Sequence, residues 1–177
     1  MREKIKLSGV PETMLQTVYA RAKESSGRGA IHDAKAEELI EKLDYDFSLA
    51  DSDTAMRSGV IARTLVLDRL ARSWLAQHPG AVVVNLACGL DTRVYRLDNG
   101  RIRWYNLDLP EVIHIRRRFF KEQGRISTIA KSATDKRWAA EVTKPTGRAL
   151  ILMEGLTMYL NAKDVQQIFA VISSRFS

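Results

Sequence analysis

The second half of the chain alternates short apolar runs with helix-like stretches, and this feature most narrows the fold. The runs are Val82–Leu86, Ile102–Leu107, Ile126–Ala130 and Ala149–Met153. Their near-continuous apolar character suits strands buried on both faces of a parallel sheet. Helices are expected between them, near Arg93, from Pro110 to Gln123, and near Lys136 to Val142. Strand and helix in alternation build βαβ units, so the expected class is α/β. A doubly wound sheet orders its first four strands 3-2-1-4, which puts the fourth at an edge unless another strand follows.

The first half reads as helical. Met14, Leu15, Val18, Tyr19 and Ala22 fall on one face of a helix starting beside Pro11, and Ser25-Ser26-Gly27-Arg28-Gly29 breaks it. A short helix should follow with Asp33 as cap, then a long one from about Asp53 to Gln77 with Met56, Val60, Leu67, Ala71 and Trp74 inward, ended by His78-Pro79-Gly80. The last helix opens on Asn161 and carries Val165, Ile168, Phe169, Ile172 and Phe176. A chain of 177 residues suits one domain, here a helical region over 1–80 and a sheet over 81–177.

Composition removes several function classes. Apolar residues at 45% and charged residues at 28% are the balance of a globular protein with a packed core. No apolar run approaches the roughly 20 residues that span a bilayer, and Met1 to Lys6 is charged without an apolar stretch behind it, so a cytoplasmic protein is expected. A single cysteine, Cys88, and three histidines leave no disulfide framework and no zinc-ligand spacing. The net charge of +7 suits an anionic partner, but the charges are scattered and the compact run Arg116-Arg117-Arg118 lies in an expected helix, which favours a solvated basic surface over a nucleic-acid interface.

The residues that can carry chemistry follow the strands. The first strand runs into Asn85-Leu86-Ala87-Cys88-Gly89-Leu90-Asp91-Thr92-Arg93, a small-residue turn at the strand end where open α/β sheets bind ligands. It also reads as a plain tight turn with Asp91 or Thr92 capping a helix. Asp108 ends the second strand roughly 20 residues on, the separation at which a nucleotide-binding unit sets an acid against ribose hydroxyls, though a helix cap before Leu109-Pro110 gives the same pattern. A pyrophosphate cradle needs three spaced glycines, and this turn has one, Gly89. A cofactor with ribose and no phosphate fits better, and S-adenosyl-L-methionine is such a cofactor. Cys88, Trp104 and Tyr105 read as core, and Tyr159 as either packing or a cover over the ligand.

These blocks resemble the S-adenosylmethionine-dependent leucine carboxyl methyltransferases and their relatives from bacterial polyketide biosynthesis. The resemblance covers nearly the whole chain: Leu7-Ser8-Gly9-Val10-Pro11-Glu12-Thr13, Tyr19-Ala20-Arg21-Ala22, Val84 through Arg93, Asn106 through Ile113, and Glu154-Gly155-Leu156-Thr157-Met158-Tyr159-Leu160. It implies a Rossmann-like class I methyltransferase fold with a helical cap at its amino-terminal end. The family sheet has seven strands and four are readable here, so the sheet is expected to stop after the fourth strand and its helix. The resemblance further implies that Ala87, Gly89, Asp91 and Arg93 belong to the cofactor turn, that Asp108 holds the ribose, and that Ser132 and Ala133 line the adenine. Glu154 would set an acid against the cofactor. Arg63 would pair with the methionine carboxylate, and Arg21 or Lys23 matches a basic position in the first helix. Where the family usually has Gly-Ala-Gly this chain has Ala87-Cys88-Gly89, and the methyl of Ala87 is expected to crowd the cofactor or force a φ that alanine dislikes.

Methyl transfer to a carboxylate needs no general base, so no catalytic acid or base is expected. The acceptor would be a carboxylate or hydroxyl of a small molecule or peptide, and the exposed sheet edge offers a route to a homodimer. Competing readings are a cofactor-binding fragment without turnover, a nicotinamide-dependent oxidoreductase on the same kind of sheet, and a nucleic-acid-binding module.

Overall fold

A computed structural model describes residues 12–27, 29–143 and 148–176. The block Leu7 to Pro11 and Arg28 lie outside them. The chain forms two compact units, one made by the described residues up to Trp74 together with Leu90–Asp98, the other by Leu75–Gly89 with the described residues from Asn99 on.

The first unit is helical. It holds α1 (Thr13–Ser26), α2 (Ala34–Lys42), α3 (Ser48–Ser52), most of α4 (Thr54–Gln77) and α5 (Arg93–Leu97). Asp33 caps α2 by accepting from the Ala36 amide at 3.0 Å, and Asp53 accepts from the Met56 amide at the head of α4 at 2.8 Å. α1 continues to Ser26 before Gly27 ends it. On α4 the buried positions are Val60, Thr64, Asp68, Ala71 and Leu75, whereas Met56, Leu67 and Trp74 are only half-buried. Two polar residues thus occupy the inward stripe that an apolar pattern assigned to neighbours.

The second unit is the sheet. β1 (Val82–Leu86), β2 (Arg103–Asp108), β3 (Ile126–Ala130) and β4 (Ala149–Met153) are all parallel, in the order β3-β2-β1-β4. β2 runs one residue later than its apolar pattern suggests. β1, flanked on both sides, is buried throughout, while β3 and β4 at the edges are mostly half-buried. One face packs Val84, Leu86 and Leu107 against Trp138 of α7 (Trp138–Glu141) and Ile168 and Val171 of α8 (Ala162–Phe176), with the Trp138 and Phe176 rings stacked at 6.0 Å. Asn161 caps α8, accepting from the Asp164 amide at 2.9 Å. Phe169, expected on the packed stripe, is 53% exposed, because Ile168 and Val171 set the inward direction.

α6 (Pro110–Phe119) follows β2 with its proline at the first turn, where no amide hydrogen is needed. It ends four residues before the expected Gln123, since Phe120 is extended. Arg116, read from sequence as part of a solvated basic run, is fully buried on this helix. Among the described residues no helix is long and apolar enough to cross a membrane.

Candidate functional site

The parallel register aligns Leu86 with Leu107 and with Met153, so β1, β2 and β4 bring their carboxyl ends to one end of the sheet. Ala87–Gly89 follow β1, Asp108 is the last residue of β2, and Glu154 follows β4. The Cys88 amide continues the ladder to the Leu107 carbonyl at 3.0 Å, and the Lys131 amide reaches the Asp108 carbonyl at 2.9 Å, which ties the exit of β3 to the same end.

The turn after β1 is held by the acid that ends β2. The Gly89 amide donates to Asp108 Oδ2 at 2.7 Å, and the Leu109 amide to Asp108 Oδ1 at 2.8 Å. Burial pushes the Asp108 carboxyl above its ordinary value, while these two amides and the Arg116 charge pull it back. Ala87 has φ 53° and Gly89 φ 48°, both in the left-handed region. The strain expected at Ala87 is therefore present in the backbone, and among the described residues it is the non-glycine in that region. Cys88 is buried between them, a packing residue.

After β3, Ser132 and Thr134 share a hydroxyl contact of 2.8 Å, and Ser132 Oγ accepts from the Thr134 amide at 3.2 Å. Ala133 is buried, and its carbonyl takes the Trp138 indole N–H at 3.0 Å, so the loop is anchored to the core. Glu154, directly after β4, is half-buried. Tyr159 is 67% exposed in the 3-10 turn Thr157–Tyr159.

The helical unit contains the other expected site residues. Asp91 accepts from the Arg93 amide and from Arg93 Nη1, each at 3.0 Å. Arg93 Nε also donates to Asp68 at 2.6 Å, and Arg96 bridges Asp68 and Asp33 at 2.6 and 2.5 Å. Arg21 Nε reaches Asp33 at 3.2 Å, whereas its buried Nη2 has no hydrogen-bond partner. Burial raises the Asp91 carboxyl, but the charges of Arg93, Arg21 and Arg96 outweigh it and hold the group far below the usual carboxylate range. Arg63 sits exposed on α4.

Sequence reasoning missed the acids and bases that connect these residues. Asp33 and Asp68 are separated by 63 and 28 positions from the Arg96 they bind, so no local spacing announces them. Arg116, Glu122 and Asn106 were missed as well, and the burial of polar groups on the α6 side of the sheet was their one signal, visible only in three dimensions.

The family model for leucine carboxyl methyltransferase matches residues 14–173. The tetracenomycin polyketide synthesis O-methyltransferase of Streptomyces glaucescens is 42% identical over 171 residues, 95% of this chain and 63% of that protein. An S-adenosyl-L-methionine-dependent methyltransferase of Gibberella zeae is 33% identical over 98% of this chain and 63% of its own length. A putative S-adenosyl-L-methionine-dependent methyltransferase of a Mycobacterium species is 36% identical over 52% of this chain and 34% of its own. The chain thus spans less than two thirds of these relatives. With a Rossmann-like parallel sheet, a clamped glycine turn after its first strand and a match over nearly all its residues, the chain belongs to the leucine carboxyl methyltransferase family.

Proposed function

We propose that this chain forms the S-adenosyl-L-methionine site of an O-methyltransferase whose acceptor is a carboxylate or hydroxyl of a small molecule. The observation that carries the reading is the Asp108 carboxylate, which grips the Gly89 turn at the end of two adjacent parallel strands. A carboxylate has about four acceptor sites and the two amides use two, so a pair of ribose hydroxyls can still be accepted. The single glycine of the turn argues against a dinucleotide pyrophosphate. The residues present therefore fit this cofactor, and the names of the relatives support the same choice.

The cofactor supplies a methyl group activated on a sulfonium. Asp108 would fix the ribose, the Ala87–Gly89 backbone would border the methionine portion, Ser132 and Ala133 the adenine, and Glu154 would present an acid. Arg63, Asp91 and Arg93 are carried as cofactor contacts by the family resemblance. A carboxylate acceptor is already ionised at neutral pH, so the chain has only to orient it and exclude water, contributions worth roughly 7–11 kcal/mol in favourable cases. A hydroxyl acceptor must lose a proton, so a rate that is flat with pH above the carboxylate range points to the carboxylate.

Calorimetry with S-adenosylmethionine and its demethylated product, beside a nicotinamide dinucleotide, tests the binding claim. No heat and no thermal shift at millimolar cofactor would sink it. Mass spectrometry of a metabolite pool after incubation with labelled cofactor identifies the acceptor. We expect this chain alone to bind without rapid turnover, because β4 is an edge strand among the described residues and pairing of two copies along it is the natural cover. A monomer by sedimentation that methylates at an ordinary enzymatic rate would overturn that expectation.

A further inference from the structure

Gly89 is gripped through both of the peptide groups that meet at its Cα. Its amide goes to Asp108, and its carbonyl accepts from Arg116 Nη1 at 2.9 Å. Arg116 is fully buried, with its guanidinium 4.3 Å from the centre of the Phe120 ring. Two more of its donors go to Glu122, Nε to Oε2 at 2.9 Å and Nη2 to Oε1 at 2.6 Å, a two-point fit. Glu122 Oε1 also accepts from Asn106 Nδ2 at 2.9 Å, and Asn106 Oδ1 accepts from the Trp104 indole at 2.8 Å and from Asn85 Nδ2 at 3.4 Å. A polar chain therefore runs from the middle of β1 and β2, through the segment after α6, to the carbonyl of the turn.

A buried ion pair is weak evidence of stability, because desolvating both charges offsets their attraction and apolar replacements often fold as well. What this pair does that an apolar pair cannot is aim a rigid, planar donor at one carbonyl. We infer that Arg116 is a positioning residue for the cofactor turn, held in register by Glu122 and Asn106, so that the two peptide groups flanking Gly89 keep one orientation before ligand arrives. This rests on the proposed cofactor reading of the turn. With the carbonyl released, the peptide after Gly89 can turn about the permissive φ and ψ of the glycine, and the amide before it is no longer held in line with Asp108.

The test is the pair R116M/E122Q, which removes both charges while leaving Asn106 an acceptor. Two measurements are made on the parent and the variant: affinity for S-adenosylhomocysteine by calorimetry, and amide exchange at Gly89 relative to the β1 amides. The expected result is a cooperative melt, about tenfold weaker binding, as for loss of one charge-assisted hydrogen bond, and selectively faster exchange at Gly89. R116K, a point donor that cannot serve Gly89 and both Glu122 oxygens together, should fall between parent and double variant and replaces it if the double variant lacks a cooperative melt. A folded variant with parental affinity and parental Gly89 exchange overturns the inference alone. A parent that binds no S-adenosylhomocysteine overturns the functional reading and the cofactor role of Arg116 with it.

Discussion

Replacing Asp108 by alanine removes one acceptor from two amides at once, and the two losses are unequal. The Gly89 amide sits in a half-buried turn, so its 2.7 Å bond to a charged group is expected to contribute about 1.5–3 kcal/mol. The Leu109 amide belongs to a residue 42% exposed, so water can take over its 2.8 Å bond and little is lost there. Burying the carboxylate has a cost of its own, visible in its raised pKa, and that cost disappears in the variant. The net destabilisation should be about 2 kcal/mol, which at a slope of about 2 kcal/mol per molar urea moves the midpoint down by about 1 M. Cofactor affinity should fall separately, by about 10- to 100-fold, for the lost ribose acceptor. Asp108→Asn keeps one acceptor and should lie between. The folded-state pKa is raised, so the stability Asp108 contributes is full below its unfolded value of about 4 and declines as pH rises through the raised value. The stability gap between parent and Asp108→Asn should therefore shift against the parent on going from about pH 3 to neutrality. A urea midpoint for Asp108→Ala that matches the parent would refute the clamp.

Other substitutions probe neighbouring features. Ala87→Gly should raise stability by about 0.5–1 kcal/mol, since the left-handed φ costs alanine about 1–2 and glycine returns part of that in chain entropy; a melting temperature equal to or below the parent's counts against strain at this turn. Asp91 is held far below the usual range by three arginines, so its contribution is full above about pH 4 and is lost as pH falls. Asp91→Asn should flatten the acid side of the stability curve, and an unaltered acid limb would contradict the assignment. Trp138→Phe should cost about 1 kcal/mol for the Ala133 carbonyl bond, against about 3–5 for Trp138→Ala, and equal midpoints for the two would show that the ring, not the loop anchor, carries no weight.

The sheet was legible because its strands are short, apolar and separated by helices, and those properties belong to the strands themselves. Val82–Leu86, Ile126–Ala130 and Ala149–Met153 stand where their composition put them. What the pattern could not supply is the orientation of a helix with apolar residues on more than one face. α8 offers Ile168, Phe169, Val171 and Ile172, and which of them turn inward depends on Trp138 and β1 in the layer beneath. On α4 the error has the opposite sign. Thr64 and Asp68 read as outward by polarity, yet both are buried, and Asp68 is accommodated there by Arg93 and Arg96 from α5.

The candidate site divides along the same physical line. Gly89 and Asp108 were readable because a βαβ unit fixes where a turn and an acid must fall relative to the strands, so spacing carries the information. The groups that hold them in place carry no such spacing. Asn106 looks like a strand residue, Glu122 like a loop acid and Arg116 like one cation in a run of three, and each is explained only by the others. Their burial is coupled: Arg116 can be desolvated because Glu122 is there, and Glu122 can be desolvated because Arg116 and Asn106 both donate to it. A polar residue whose burial depends on partners 6, 16 or 27 positions away must look like surface to any reading that weighs it alone. The order of dependence thus runs opposite to legibility, since the visible turn takes its geometry from the concealed arginine.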